Sequence, residues 1–203
     1  MTNSQEKEDK FKVFKLAEEQ KIKQEGIIDQ FIVRNIAFNI LPTLKSLNIS
    51  PNMVTTISLI TSCLSIWYIF NEKYIYGSFL FLLRYIFDCI DGPLARYTKT
   101  VSKFGDIYDH TVDAGSFIAF MIVASTKSYS IYFYIGIIIL FITSMIHHTI
   151  ISQNKTHQSD LIGSLLQYLP VDEKKFSWTQ YCSTDVATLY ACIAMVVDKN
   201  FKN

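Results

Sequence analysis

Asp88-Cys89-Ile90-Asp91-Gly92-Pro93-Leu94-Ala95-Arg96, followed by Gly105, Asp109 and Asp113, decides how this chain is read. The spacing is D-x2-D-G-x2-A-R-x8-G-x3-D-x3-D. Two apolar segments meet here, where carboxylates are costly. An Asp at the centre of a membrane helix costs about 2.5–3.5 kcal/mol on insertion scales. Four aspartates kept together in such a place point to bound cations. Asp88, Asp91, Gly92 and Ala95 fall at i, i+3, i+4 and i+7 and share one helix face. Gly105, Asp109 and Asp113, at i, i+4 and i+8, share a face of the next helix. If the two helices are antiparallel neighbours, the stripes converge. Hard oxygen donors suit Mg²⁺ or Mn²⁺. Four carboxylates match two such ions, which in turn grip a diphosphate. Gly92, Ala95 and Gly105 lack bulk, which leaves room for a ligand or for tight helix packing.

Outward from this stretch the chain reads as all-α, a polytopic membrane bundle of five spans. Pro51–Phe70 is twenty residues without a charge, long enough to cross. Ser50 is placed as its N-cap and Pro51 in its first turn. Tyr74 to about Thr98 is the second span, and Pro93 should kink it by freeing the carbonyl of Cys89. Gly105 to about Ala124, Ile131–Ile151 and about Trp178–Val197 follow as the third, fourth and fifth. Leu161–Leu169 is apolar but too short to cross. Upstream, residues 27–47 carry apolar side chains at roughly i, i+4, i+5 and i+9, an amphipathic helix for the membrane interface. Residues 1–26 are charged, with Met1–Lys10 expected to fray and Phe11, Phe14 and Leu16 marking a surface helix. The division is therefore 1–50, a cytosolic charged segment with an interfacial helix, and 51–203, a membrane-embedded domain.

Half of the 203 residues are hydrophobic and the formal net charge is +1, which gives no footing for nucleic acid. Residues 1–26 hold no apolar core of a signal peptide, so insertion is expected to rest on the internal spans. Cys63, Cys89, Cys182 and Cys192 show no metal or disulfide spacing and read as packed thiols. Asn154-Lys155-Thr156 has the form of a glycosylation sequon but falls on the side expected to be cytosolic.

The signature resembles that of the class-I CDP-alcohol phosphatidyltransferase family at every defined position. Ser50-Pro51-Asn52-Met53-Val54-Thr55 is similar to the Pro-Asn-x-x-Thr element that opens the family's first transmembrane helix. These two matches tie residues 50–113 to the family, and the flanks resemble it in hydropathy. The resemblance implies an integral membrane phosphotransferase of phospholipid synthesis. A CDP-linked donor, of CDP-diacylglycerol or CDP-choline/ethanolamine type, passes a substituted phosphate to an alcohol or lipid acceptor, and CMP leaves. Asp88, Asp91 and Asp109 map onto the family's metal ligands. Asp113 maps onto the last aspartate, general base and ligand. Asn52, Gly92, Ala95 and Gly105 map onto the substrate side, and Arg96 onto a phosphate or carboxylate partner. The resemblance also carries two bound Mg²⁺ or Mn²⁺ ions, surrounding membrane lipids and a homodimeric partner.

Gly105-Asp106-Ile107-Tyr108-Asp109-His110 is similar to the Gly-Glu-x-x-Asp-His of choline and ethanolamine phosphotransferases, where the histidine assists proton removal. The plainer reading is a histidine bonded to Asp106. His147-His148 and Asp185 are further polar residues within spans. The chain departs from the family in showing five spans rather than six. It lacks the glycine-and-lysine pattern of phosphatidylglycerophosphate synthases in span five, and the arginine that follows the last aspartate in inositol-using relatives. Two competing readings are a non-catalytic or regulatory relative and an aromatic prenyltransferase; the latter family spaces its aspartate motifs much further apart.

Lysine and arginine set the expected orientation. Eight lie in residues 7–45, and Arg96, Lys99 and Lys103 cluster after span two, with Lys155, Lys174 and Lys175 after span four; Lys73, Lys127, Lys199 and Lys202 lie opposite. The site then faces the cytosol in a multi-pass protein. A cysteine placed at Val101 in a cysteine-free background is expected to resist a membrane-impermeant thiol reagent in intact cells and to react after permeabilisation. Ready labelling from outside would reverse the orientation.

Overall fold

The computed structural model describes residues 3–23, 25–126, 131–153 and 184–200. The described residues form helices and connecting turns. In chain order these are α1 (Asn3–Ile22), α2 (Ile27–Ile32), a π-helical turn (Val33–Ala37), α3 (Phe38–Ser46), α4 (Pro51–Phe70), α5 (Tyr74–Thr98), α6 (Lys103–Ser125), α7 (Ile131–Gln153) and α8 (Thr184–Asn200).

α4 starts where its sequence sets it. The Ser50 hydroxyl accepts from the Met53 amide at 3.2 Å, and Pro51 occupies the first turn, where its missing N–H costs nothing. The helix is inside out by the standards of a water-soluble fold. Thr55, Ser58, Thr61, Ser62 and Ser65 are buried, while Met53, Ile57, Ile60, Leu64, Trp67 and Phe70 are exposed. The buried small side chains let α5 approach closely, and α4 and α5 form the most extensive pairing in the fold. Ser65 donates to the Gly77 carbonyl at 2.7 Å, and Ser58 to the Arg84 carbonyl at 3.3 Å.

α5 runs unbroken through Pro93 to Thr98. It ends on Lys99 in the left-handed region (φ 60°), with the Thr100 amide returning to the Ala95 carbonyl at 2.9 Å. Ser102 then caps α6 by accepting from the Gly105 amide at 3.0 Å. So short a connection reverses the chain, and α6 leans chiefly on α4. Between α5 and α6 this leaves the space that the site occupies.

Two apolar clusters brace the bundle at opposite ends of the α4–α5 pair. One joins Ile69 and Phe81 to Phe120, Phe133 and Met195, from α6, α7 and α8. The other joins Val54, Ile90 and Leu94 to Ile22, Val33, Ala37, Phe38 and Leu41. The interfacial helix expected over residues 27–47 is thus α2 and α3 joined by a π turn. Ile32 and Ala37, and Val33 and Phe38, are five residues apart and all buried, a spacing that the wider π turn keeps on one face. Ile27 and Phe31 remain exposed.

α1 begins at Asn3, inside the segment expected to fray. Phe11 and Phe14 pack on Tyr97 with ring centroids 5.2 and 5.1 Å away, whereas Leu16 is exposed. Cys63, Cys89 and Cys192 form no disulfide; Cys192 is buried and Cys89 half-buried, with its Sγ 3.3 Å from Asp29 Oδ1, whereas Cys63, expected to be packed, is exposed on the outward face of α4.

Among the described residues one helix, Pro51–Phe70, is long and apolar enough throughout to cross a membrane; Phe133–Ser144 and Val186–Asp198 are shorter apolar stretches. By this measure the first of the five spans read from hydropathy meets the criterion. The polar ends of α5 and α6, which carry the aspartates, dilute their hydropathy. Leu161–Leu169, Asn154-Lys155-Thr156, Cys182 and the start of the fifth span lie outside the described residues, as do the side chains of His147, His148 and Asp185.

Gly77 sets the distance between α4 and α5. A Cβ there would stand 3.1 Å from the Ser65 carbonyl and run into the Ile69 side chain. Gly77→Val is expected to lower stability by about 1–3 kcal/mol, read as a fall in thermal unfolding temperature in detergent. An unchanged transition would mean that the two helices do not need this approach.

Candidate active site

The two aspartate stripes converge. One carboxylate oxygen each from Asp88, Asp109 and Asp113 lies within 4.8 Å of the others. Asp88 comes from the middle of α5, and Asp109 and Asp113 from the first half of α6. Asp91, one turn along α5, is buried (5% exposed) and accepts from the Thr55 hydroxyl of α4 at 2.5 Å. Thr55 belongs to the Pro-Asn-x-x-Thr element, so α4 contributes a donor that fixes one carboxylate of the signature. Thr56 adds a second tie to α6 through the Tyr108 hydroxyl at 3.0 Å.

Beside the carboxylates opens a cleft of about 310 Å³. Asn52 lines it from α4; Asp91, Gly92, Ala95 and Arg96 from α5; and Gly105, Asp109 and His110 from α6. These are eight of the ten residues singled out in the sequence. The other two, Asp88 and Asp113, stand outside this lining. Small side chains keep the cleft open. A Cβ on Gly105 would meet Asn52 Oδ1 at 3.2 Å, and one on Gly92 would meet Arg96 Nη1 at 3.2 Å. His110 Nδ1 lies 2.8 Å from the carbonyl oxygen of Asp106, and 3.8 Å from that residue's carboxylate.

Arg84 was not legible as a site residue. In the sequence it is a lone cation in an apolar helix. In the structure its side chain is buried (8% exposed), pairs closely with Asp113 and stands 3.6 Å from Asp88. It occupies i−4 to Asp88 on α5, the spacing that puts the two on one face, and that relation was available in the sequence. Arg96 also has a partner, Glu18 of α1, which its Nε reaches at 2.9 and 3.0 Å. Lys21 and Glu25 also line the cleft. No sequence signal near the signature pointed to these three N-terminal residues.

The donor set suits a hard divalent cation, being all carboxylate with no Cys. Two buried oxygens, Asp88 Oδ1 and Asp109 Oδ1, have no hydrogen-bond donor. Unsatisfied buried carboxylate oxygens are costly unless a cation meets them. The residues present therefore fit Mg²⁺ or Mn²⁺.

The site is thus a carboxylate cluster on facing helices beside a cleft lined in part by small residues. Residues 48–198 match the family model described as CDP-alcohol phosphatidyltransferase, and the chain belongs to this family. It is 37% identical over 71 residues to archaetidylinositol phosphate synthase of Pyrococcus horikoshii, covering 35% of this chain and 38% of that protein. It is 33% identical over 93 residues to CDP-diacylglycerol--serine O-phosphatidyltransferase of Helicobacter pylori, covering 46% and 37%. The matched region thus spans well under half the length of these relatives. No solved structure matches the chain. Family membership sets the prenyltransferase reading aside.

Arg84 carries a testable consequence. Removing one partner from a buried charge network leaves the others uncompensated, at a cost of about 3–5 kcal/mol. Arg84→Met is expected to lower thermal stability in EDTA, and Mn²⁺ is expected to restore more stability to the variant than it adds to the unmodified protein. Equal Mn²⁺ stabilisation of both proteins would show that Arg84 and the cation do not share the same carboxylates.

Proposed function

We propose that this protein is an integral membrane phosphotransferase of phospholipid synthesis, moving a substituted phosphate from a CDP-linked donor to an alcohol, with CMP as the leaving group. The convergence of Asp88, Asp109 and Asp113 beside the cleft carries this reading. The names of the two relatives support it, and the serine-using one favours CDP-diacylglycerol as donor.

Asp88, Asp91, Asp109 and Asp113 would hold the divalent ions, with Thr55 fixing the Asp91 carboxylate. Mg²⁺ or Mn²⁺ bound there offsets the charge on the diphosphate and the charge that develops on CMP. Gly92, Ala95 and Gly105 leave room for the nucleotide, and Asn52 and Arg96 offer it donors. Attack by the acceptor hydroxyl on the phosphorus distal to the cytidine forms one P–O bond. The P–O bond to CMP breaks, and its electron pair stays on the CMP oxygen. The hydroxyl proton passes to Asp113, the residue that the family resemblance assigns as base. His110 is the second candidate. A carbonyl oxygen only accepts, so Nδ1 facing Asp106 carries a proton, and in the neutral imidazole Nε2 holds the lone pair.

The reading places the protein in a membrane with several spans and the cleft toward the cytosol. Supporting it are the outward apolar residues beyond α4: Ile118 and Ile122 on α6, and Ile135, Ile138, Ile139 and Ile142 on α7. Such surface is costly in water and free of cost in lipid.

The test is purified protein with Mg²⁺ or Mn²⁺ and a panel of CDP donors and alcohols, scored for CMP and lipid product. CMP release that requires both substrates and stops in EDTA is expected. Asp113→Asn should lower turnover by about 10²- to 10⁴-fold while keeping much of the donor affinity. If instead His110→Gln alone produces that loss, the imidazole is the base. Cation binding with no CMP release from any pair would favour the non-catalytic relative.

A further inference from the structure

α1 lies upstream of the region the family model matches, residues 48–198, yet it ends on the cleft. Glu18 is buried (4% exposed) and accepts from Arg96 on both carboxylate oxygens. Ile22, one turn further, is buried in the same cluster as Ile90 and Leu94. The two contacts fix the last turn of α1 against the final turns of α5. Glu18 and Lys21 are three residues apart and fall on the same side of the helix. Lys21 stands in the cleft wall, which it shares with the signature residues Asp91 and Asp109.

The charge pattern of the wall selects the ligand. Asp91, Asp106, Asp109 and Glu25 are acidic, while Lys21, Arg96 and His110 are the basic groups. A ligand that brings divalent cations for the aspartates also brings phosphate oxygens in excess of what the cations neutralise. Those oxygens need fixed donors. Arg96 is held for this by Glu18, since a planar guanidinium gripped along one edge keeps its orientation.

We propose that the last turn of α1 is part of the nucleotide site: Lys21 is a binding residue for a phosphate of a nucleoside diphosphate, and Glu18 is a positioning residue that holds Arg96 beside Gly92. The proposal rests on the CDP-donor reading above and adds to it a wall that the family signature does not contain.

The test uses the full chain in detergent, with CDP and Mn²⁺ as probes in calorimetry. Loss of one charge-assisted bond to phosphate is worth about tenfold in affinity. Lys21→Met is expected to weaken CDP binding about tenfold with Mn²⁺ affinity unchanged, and Lys21→Arg to retain most of it. Glu18→Gln is expected to weaken CDP binding in the unmodified background and to add no loss in an Arg96→Met background, because it acts through Arg96. CDP binding by Lys21→Met as tight as by the unmodified protein would overturn the role of Lys21. A Glu18→Gln loss that persists without Arg96 would overturn the positioning role. Absence of CDP binding by the unmodified protein would sink the donor reading itself, and this proposal with it.

Discussion

Mutual repulsion among four gathered carboxylates is the constraint on which the rest of this structure depends. Asp88, Asp91, Asp109 and Asp113 lie together where α5 and α6 face each other, Asp91 buried and the other three half-buried, so water screens them less than on an open surface. Two internal groups offset them. Arg84 sits between Asp88 and Asp113, and the Thr55 hydroxyl binds Asp91. Buried oxygens of Asp88 and Asp109 remain without a donor. The network is satisfied in part by the protein and left open at the point where the proposed cations would enter. Arg84 thus acts as a resident cation, keeping the cluster assembled at charge values that four bare carboxylates would not tolerate.

Holding that network requires helices that approach closely without burying large side chains. α4 supplies this with its inward row of Thr and Ser, and Gly77 of α5 with its missing Cβ. The apolar residues this displaces face outward. In water that arrangement would expose much of the driving force for folding; in lipid it leaves packing and hydrogen bonding to hold the helices. On the proposed reading the inside-out pattern and the site belong together, since a polar interior that holds cations needs an apolar exterior to be stable in a membrane.

Much of this was legible in the sequence, for identifiable reasons. The Ser50-Pro51 start of α4 follows from local capping chemistry, and the convergence of the aspartates from helical periodicity. Gly92, Ala95 and Gly105 line the cleft, where their lack of bulk keeps it open. What escaped were contacts between residues far apart in sequence. Glu18 meets Arg96 across 78 positions, and nothing near Glu18 distinguishes it from its solvated neighbours on a charged helix. Arg84 reads locally as a stray cation until Asp113 is brought against it. The π turn at Val33–Ala37 likewise appears only when Ile32, Val33, Ala37 and Phe38 must face one cluster.

The most direct test of the account is the stoichiometry and spin coupling of bound Mn²⁺, measured by electron paramagnetic resonance on purified protein without nucleotide or acceptor. The account predicts a coupled two-ion signal that collapses in an Asp91→Asn/Asp109→Asn double variant. Mn²⁺ binding no stronger in the unmodified protein than in that variant would contradict the claim that the converging carboxylates exist to hold cations.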